Sequence, residues 1–389
     1  MYIEIFRKAL NSGDVLGSLI ALESVEDLNT SSDALHGYTP LTYAIEAESL
    51  PVVTALLAKG VSIEVPSFAS WTPLFYAANR GNIDIVNTLI VAGANVNAVD
   101  KNGVSVLHRV CHKGYVEVAK MLIDSGADVY VLNGDGWTAF HLAVSERKLD
   151  LVDMFLDAGI NVATTTEKGS TALHFAVREG DEDLVQMLLQ AGAPVNAQMT
   201  EKATPLHHAI SYEYPQIFKE LIKVGADIHL KDNEGWTPLH LAASHGLVEM
   251  VQILLNTGAE LNNVTEKGFT PLHLASYHGH AQMVSFLLRA NADKNTMDSE
   301  GHSPMYHATV NGFHRVLNLL LDGVDVDSVD TRGFTLLHHA TLTKKYDAIQ
   351  VLLSKGASVS KKTNDGKTVL DIAKDNGYYP VVKDIFAQK

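Results

Sequence analysis

The chain has 389 residues, 46% of them hydrophobic and 19% charged, and 45 acidic against 30 basic side chains give a formal charge of −15. That apolar content can supply a continuous core and excludes a disordered chain, and the acidity argues against nucleic acid or an anionic membrane as the main partner. The single cysteine, Cys111, rules out an intrachain disulfide.

The first residues, Met1 to Lys8, carry Glu4, Arg7 and Lys8 where a signal peptide needs an apolar run. No segment approaches about 18 consecutive apolar residues, the length of a membrane-crossing helix. A soluble, cytoplasmic protein is the expectation. A microbial protein exported into a host cytoplasm would read the same way.

In chain order, Glu4–Leu10 and Val15–Leu22 are predicted as a helix pair around Asn11-Ser12-Gly13-Asp14. A repeat then begins. Thr39, Thr72, Ser105, Thr138, Thr171, Thr204, Thr237, Thr270, Ser303, Thr335 and Thr368 open the same short phrase. They stand 33 residues apart except between Ser303 and Thr335, where the step is 32. In the third copy Cys111 takes the place of a small alanine, which predicts a buried thiol.

The sixth copy departs most from the others, with Met199 and Lys202 in its turn and Ser211-Tyr212-Glu213-Tyr214-Pro215 at its helix junction. Pro215 there is placed to start a helix. The seventh copy is the cleanest. Asp232-Asn233-Glu234-Gly235 makes a tight turn, Thr237 caps a helix with Pro238 in its first turn, and Leu239, Leu241, Ala242 and Ala243 follow. Gly246 ends that helix in the left-handed region, and a second helix from Leu247 to Asn256 carries a broad apolar stripe. Where other copies place this glycine, four have Glu48, Arg147, Glu213 and Lys344, at a cost of about 1 kcal/mol each if the backbone stays left-handed.

The missing residue before Gly323 should shorten the second helix of the ninth copy. Val369–Ala373 and Val381–Phe386 form the last pair. From Lys355 onward seven lysines face four aspartates, a basic end of +3 after a body of −18. Two helices of roughly ten residues cannot bury their apolar faces alone, so the units must stack.

The period and the phrase Thr237-Pro238-Leu239-His240-Leu241-Ala242 resemble the ankyrin repeat family over essentially the whole chain. The implied fold is an all-α solenoid of about twelve helix-turn-helix units with β-turn tips. One domain is expected over 1–389: an N-terminal cap at 1–36, central repeats at 37–366 and a C-terminal cap at 367–389.

The resemblance also bears on the 18 histidines. His108, His141, His174, His207, His240, His273 and His338 hold the fourth position of the phrase, where the family's imidazole bonds back to the capping turn and links repeats. No metal motif or Asp/Glu/His cluster at i, i+4 is expected, and no cofactor. Phosphate loops, nucleophile elbows and kinase signatures are absent, so no enzyme is expected.

Binding positions are those the framework does not need. The residue before each anchor reads Tyr38, Trp71, Val104, Trp137, Ser170, Ala203, Trp236, Phe269, His302, Phe334 and Lys367, and it holds all three tryptophans. In the family this position lines a concave face. Its aromatics either pack on the adjacent tip or contact a partner, in the manner of interface hot spots.

The candidate partner-binding residues are Trp71, Arg80, Trp137, Trp236, Ser244, His245, Phe269, Tyr277, His278 and Phe334. Trp236 and Phe269, flanked by Ser244, His245, Tyr277 and His278, make the preferred patch. Trp71 with Asn79 and Arg80, beside Lys101, His112 and Lys113, makes a second one suited to an acidic or polar segment. The expected function is a monomeric scaffold for a protein partner. The alternative is an adaptor or host-directed effector regulating an enzyme supplied in trans.

Overall fold

In a computed structural model, residues 2–25, 27–31 and 36–386 are described; Met1 and Lys389 lie outside them. The described residues hold 24 helices in twelve pairs. They form two compact units that divide between Thr200 and Glu201.

In the first unit the pair Tyr2–Asn11 and Val15–Glu23 precedes the first phrase. It buries Phe6, Leu10, Ala21 and Leu22. In the second unit the last pair is Val369–Asp375 and Tyr379–Phe386. Between them each phrase becomes a short inner helix followed by an outer one, as in Pro238–Ser244 and Val248–Asn256. Within each unit inner helices pack on the inner helices of the next repeat, and outer helices such as His314–Leu320 on the outer helices beside them. The core is correspondingly repetitive: Leu239, Ala242, Ala243, Val251 and Leu254 are buried in this copy, and Phe140 and Phe155 fill the fourth.

The start of each inner helix is fixed by its anchor. Thr270 Oγ1 accepts the His273 N–H at 3.3 Å, and the Thr270 N–H donates to His273 Nδ1 at 3.1 Å. This is a reciprocal cap with histidine in the place usually held by a glutamate or glutamine. At the other end the backbone turns left-handed. Gly246 does so at φ 72°, and Glu48, Arg147, Glu213 and Lys344 keep the same conformation at φ 54°, 56°, 58° and 58°. The fold therefore imposes the left-handed residue whether or not glycine supplies it.

Two irregular copies behave as their residues imply. Pro215 opens the helix Pro215–Lys223. His314–Leu320 has seven residues where most outer helices have nine, the shortening expected from the missing residue. Cys111 is fully buried, and burial first, then the nearby Glu146, pushes its thiol far above the ordinary cysteine range.

Candidate functional site

Most of the described tips are built by one polar side chain, although Met199 holds that place in the sixth copy. Asp232 Oδ1 accepts the N–H groups of Glu234 and Trp236, both at 2.9 Å. Within each unit successive tips are joined by backbone bonds, such as Gly134 N–H to Asn102 O at 2.8 Å and Glu266 N–H to Glu234 O at 3.2 Å.

The phrase histidines complete this frame. Nε2–H of His108 donates to the carbonyl of Trp137 at 2.8 Å. His207 does the same to Trp236, and His240 to Phe269, at 3.1 Å each. Each links one inner helix to the tip of the following repeat. The backbone of a tip aromatic is thereby held from the repeat before it, while its ring stays half-buried. Burial holds His108, His141, His207, His240 and His273 below the ordinary histidine range, and His141, His240 and His273 fall to about 4.

The rings pack on their own repeat, on the next one, or on both. Trp71 stacks on Phe75 of the helix it precedes at 4.7 Å, with the Arg109 guanidinium of the following repeat 5.1 Å from its ring. Trp137 lies 4.3 Å from Phe175, which carries Arg178 above it. Phe269 meets His307 edge-on at 5.3 Å, and Phe334 contacts His339 at 5.2 Å and the Arg332 guanidinium at 4.9 Å.

Trp236, Phe269, Tyr277 and His278 come together along an open groove of about 460 Å³, with Lys267, Asp298, Glu300 and His307 also on its walls. Tyr277 and His278 are exposed. Burial, then the neighbouring His280 and His245, holds His278 below the ordinary histidine range.

Ser244 stands differently: it is buried, and its hydroxyl donates to Leu241 O at 2.9 Å. Its carbonyl accepts Nε2–H of His280. It supports the helix end and does not line the groove. His245 is exposed but is likewise not on the groove's walls. Trp137 lines a separate groove of about 790 Å³ with Glu146, Lys168, Phe175 and Arg178. Phe334 lines a third, of about 290 Å³, with His302, Tyr306, Asp330 and His339.

The second predicted patch is largely neutralised by its neighbours. Arg80 pairs with Glu46 through both Nη2, at 2.7 Å, and Nε, at 3.3 Å. Asn79 Oδ1 accepts from Arg109 Nε at 2.7 Å, and His112 is bonded to Glu146.

One cluster corrects the expectation that no Asp/Glu/His cluster stands at i, i+4 spacing: Asp298 and His302 are such a pair. Asp298, His302 and His307 place a ligand atom each within 4.8 Å of one another. His307 Nε2–H donates to Asp298 Oδ2 at 2.7 Å, and His302 Nδ1 lies 3.9 Å from Asp298 Oδ1 and 3.5 Å from Glu300 Oε2. Burial pushes the Asp298 carboxyl up, but the N–H of His302 and the bond from His307 outweigh it and leave it below the ordinary range. The signal was available as Asp-x3-His-x4-His. The pattern does not read as a helical ligand motif, because the i, i+4 pair runs through a turn and the third residue enters from the next helix.

Comparisons with known proteins agree with this construction. A family model described as ankyrin repeats in three copies matches residues 74–166, 107–199, 159–232, 206–298, 258–330 and 305–389, and one described as ankyrin repeats in many copies matches 41–90. Among solved structures the chain is similar to the crystal structure of the ankyrin repeat domain of Bcl-3, a unique member of the IkappaB protein family. Identity is 32% and the TM-score 0.53, over 56% of this chain and 99% of that one. No curated protein matches the chain. Among the described residues no helix is long and apolar enough to cross a membrane. With the reciprocal histidine caps, the tip ladder and family matches spanning nearly every copy, the chain belongs to the ankyrin repeat family.

Proposed function

We propose that the chain is a non-enzymatic scaffold that holds a partner protein on its tips and inner helices, with the groove of Trp236, Phe269, Tyr277 and His278 as the principal contact. Ankyrin repeats are generally protein–protein interaction modules. The observation that carries the reading is that aromatic rings stand half-exposed on a backbone already fixed by the histidine of the preceding repeat. Such rings lose little conformational entropy on binding, and aromatic side chains dominate interface energetics. Tyr277, 46% exposed, adds a flat surface with a polar end at the groove's rim.

The test is an affinity capture with the wild-type chain beside Trp236→Ala/Phe269→Ala and Tyr277→Ala, each shown to be folded by circular dichroism. A partner held by the wild type and lost tenfold or more by the double variant supports the groove. Equal capture by all three chains, or capture that follows only the amount of folded protein, overturns it.

A further inference from the structure

We propose that Asp298, His302 and His307 form a binding site for a borderline transition-metal dication of the zinc class. Two imidazole nitrogens and a carboxylate oxygen are a donor set that suits zinc, nickel or cobalt, whereas calcium and magnesium call for oxygen ligands alone. Ligand atoms around tetrahedral zinc stand about 3.3 Å apart at bond lengths near 2 Å. Two contacts bracket that value, 2.7 Å from His307 Nε2 to Asp298 Oδ2 and 3.9 Å from His302 Nδ1 to Asp298 Oδ1, and one donor atom from each of the three residues lies within 4.8 Å of the others. Small side-chain rotations therefore close the shell.

Asp298 is the fixed member. Its Oδ1 accepts the N–H groups of Glu300 and His302, both at 2.9 Å, which holds the carboxylate in place as outer partners do around metal ligands. His307 is buried on the inner helix, and its Nε2 points at Asp298 Oδ2. On binding, the ion displaces the proton from His307 Nε2, and the neutral ring carries its single proton on Nδ1 instead, as the other tautomer. His302 brings the third donor from the tip. Its ring lies parallel to Tyr306 at 3.7 Å, and its Nδ1 also stands 3.5 Å from Glu300 Oε2, an exposed carboxylate within reach as a fourth ligand.

The next repeat supplies an internal comparison. Asp330 accepts the N–H groups of Arg332 and Phe334 in the same turn, and His339 Nε2–H donates to Asp330 Oδ2 at 3.0 Å. That Asp–His bond is a framework contact. The position of His302 is occupied there by Phe334, so the third ligand distinguishes the ninth copy from the tenth.

The experiment loads the full-length chain with Zn2+, removes loose ion on a gel-filtration column in weakly chelating buffer, and measures retained zinc per chain. The variants are His302→Phe, which installs the neighbouring repeat's residue and keeps a ring against Tyr306, and His229→Ala, which removes an exposed histidine outside the triplet and outside the groove. The wild type and His229→Ala should each retain one equivalent more than His302→Phe, and zinc should raise their melting temperature but not that of His302→Phe. Equal zinc on all three chains, or none on the wild type, overturns the site. Asp298, Glu300 and His307 also line the binding groove, but the assay contains no partner protein, so its outcome does not depend on partner binding there.

Discussion

Acidification should destabilise the protein through histidines that the fold keeps neutral. His240 is fully buried, receives the Thr237 N–H on Nδ1 at 3.2 Å, and donates from Nε2 to Asn263 O at 2.9 Å and Phe269 O at 3.1 Å. Both nitrogens are therefore assigned, and a second proton would displace the cap and bury a charge. His141 is held in the same way by Thr138 and Thr164 O. Burial lowers both to about 4, against an ordinary 6.5.

Between those values the unfolded chain binds more protons than the folded one, so stability is complete above pH 6.5 and falls as the pH drops toward 4. For each residue, going from pH 7.5 to 5 removes about 2 kcal/mol. The informative variant is His240→Gln, because glutamine serves the same reciprocal cap without titrating. Urea unfolding of the wild type and this variant at pH 7.5 and 5 should show the variant losing about 2 kcal/mol less. In carbon-13 spectra of histidine-labelled protein, the imidazole signal that His240→Gln deletes should titrate near pH 4. The reasoning is refuted if that signal titrates near 6.5, or if both chains lose equal stability.

Other outcomes follow from the same frame. Glu213→Gly should raise stability by about 0.5 kcal/mol, because relief of the left-handed conformation slightly exceeds the added freedom of the unfolded chain. Arg147→Gly should gain less, since it also breaks the 2.6 Å pair with Asp181; melting curves of the two variants compare them directly. Phe140→Ala, which empties a fully buried position beside Phe155, should cost about 3–5 kcal/mol by urea unfolding. Phe334→His recreates the triplet beside Asp330 and His339 and should add one zinc equivalent to the retained-ion assay.

Much of the molecule is local and therefore legible in its sequence. A threonine cap, a proline in the first turn and a left-handed residue at the helix end act within a few residues of one another. Thr237, Pro238 and Gly246 announce their helix without reference to the rest of the chain. Even Glu48 and Lys344 were readable, because the period says where the left-handed residue must fall whatever its side chain. The short helix His314–Leu320 follows from one absent residue by the same logic.

Side-chain pairing between repeats was not legible, because it depends on the offset with which one unit stacks on the next. Arg80 reads as a free cation until stacking brings Glu46 to 2.7 Å, and Arg109 as a surface charge until it reaches Trp71 and Asn79. Ser244 looks like a contact residue, but the following repeat covers it and His280 takes its carbonyl. The Asp298, His302 and His307 group lies between these cases. Its spacing is written in the sequence, yet only the turn that folds Asp298 back over the start of the next helix brings the three donors together.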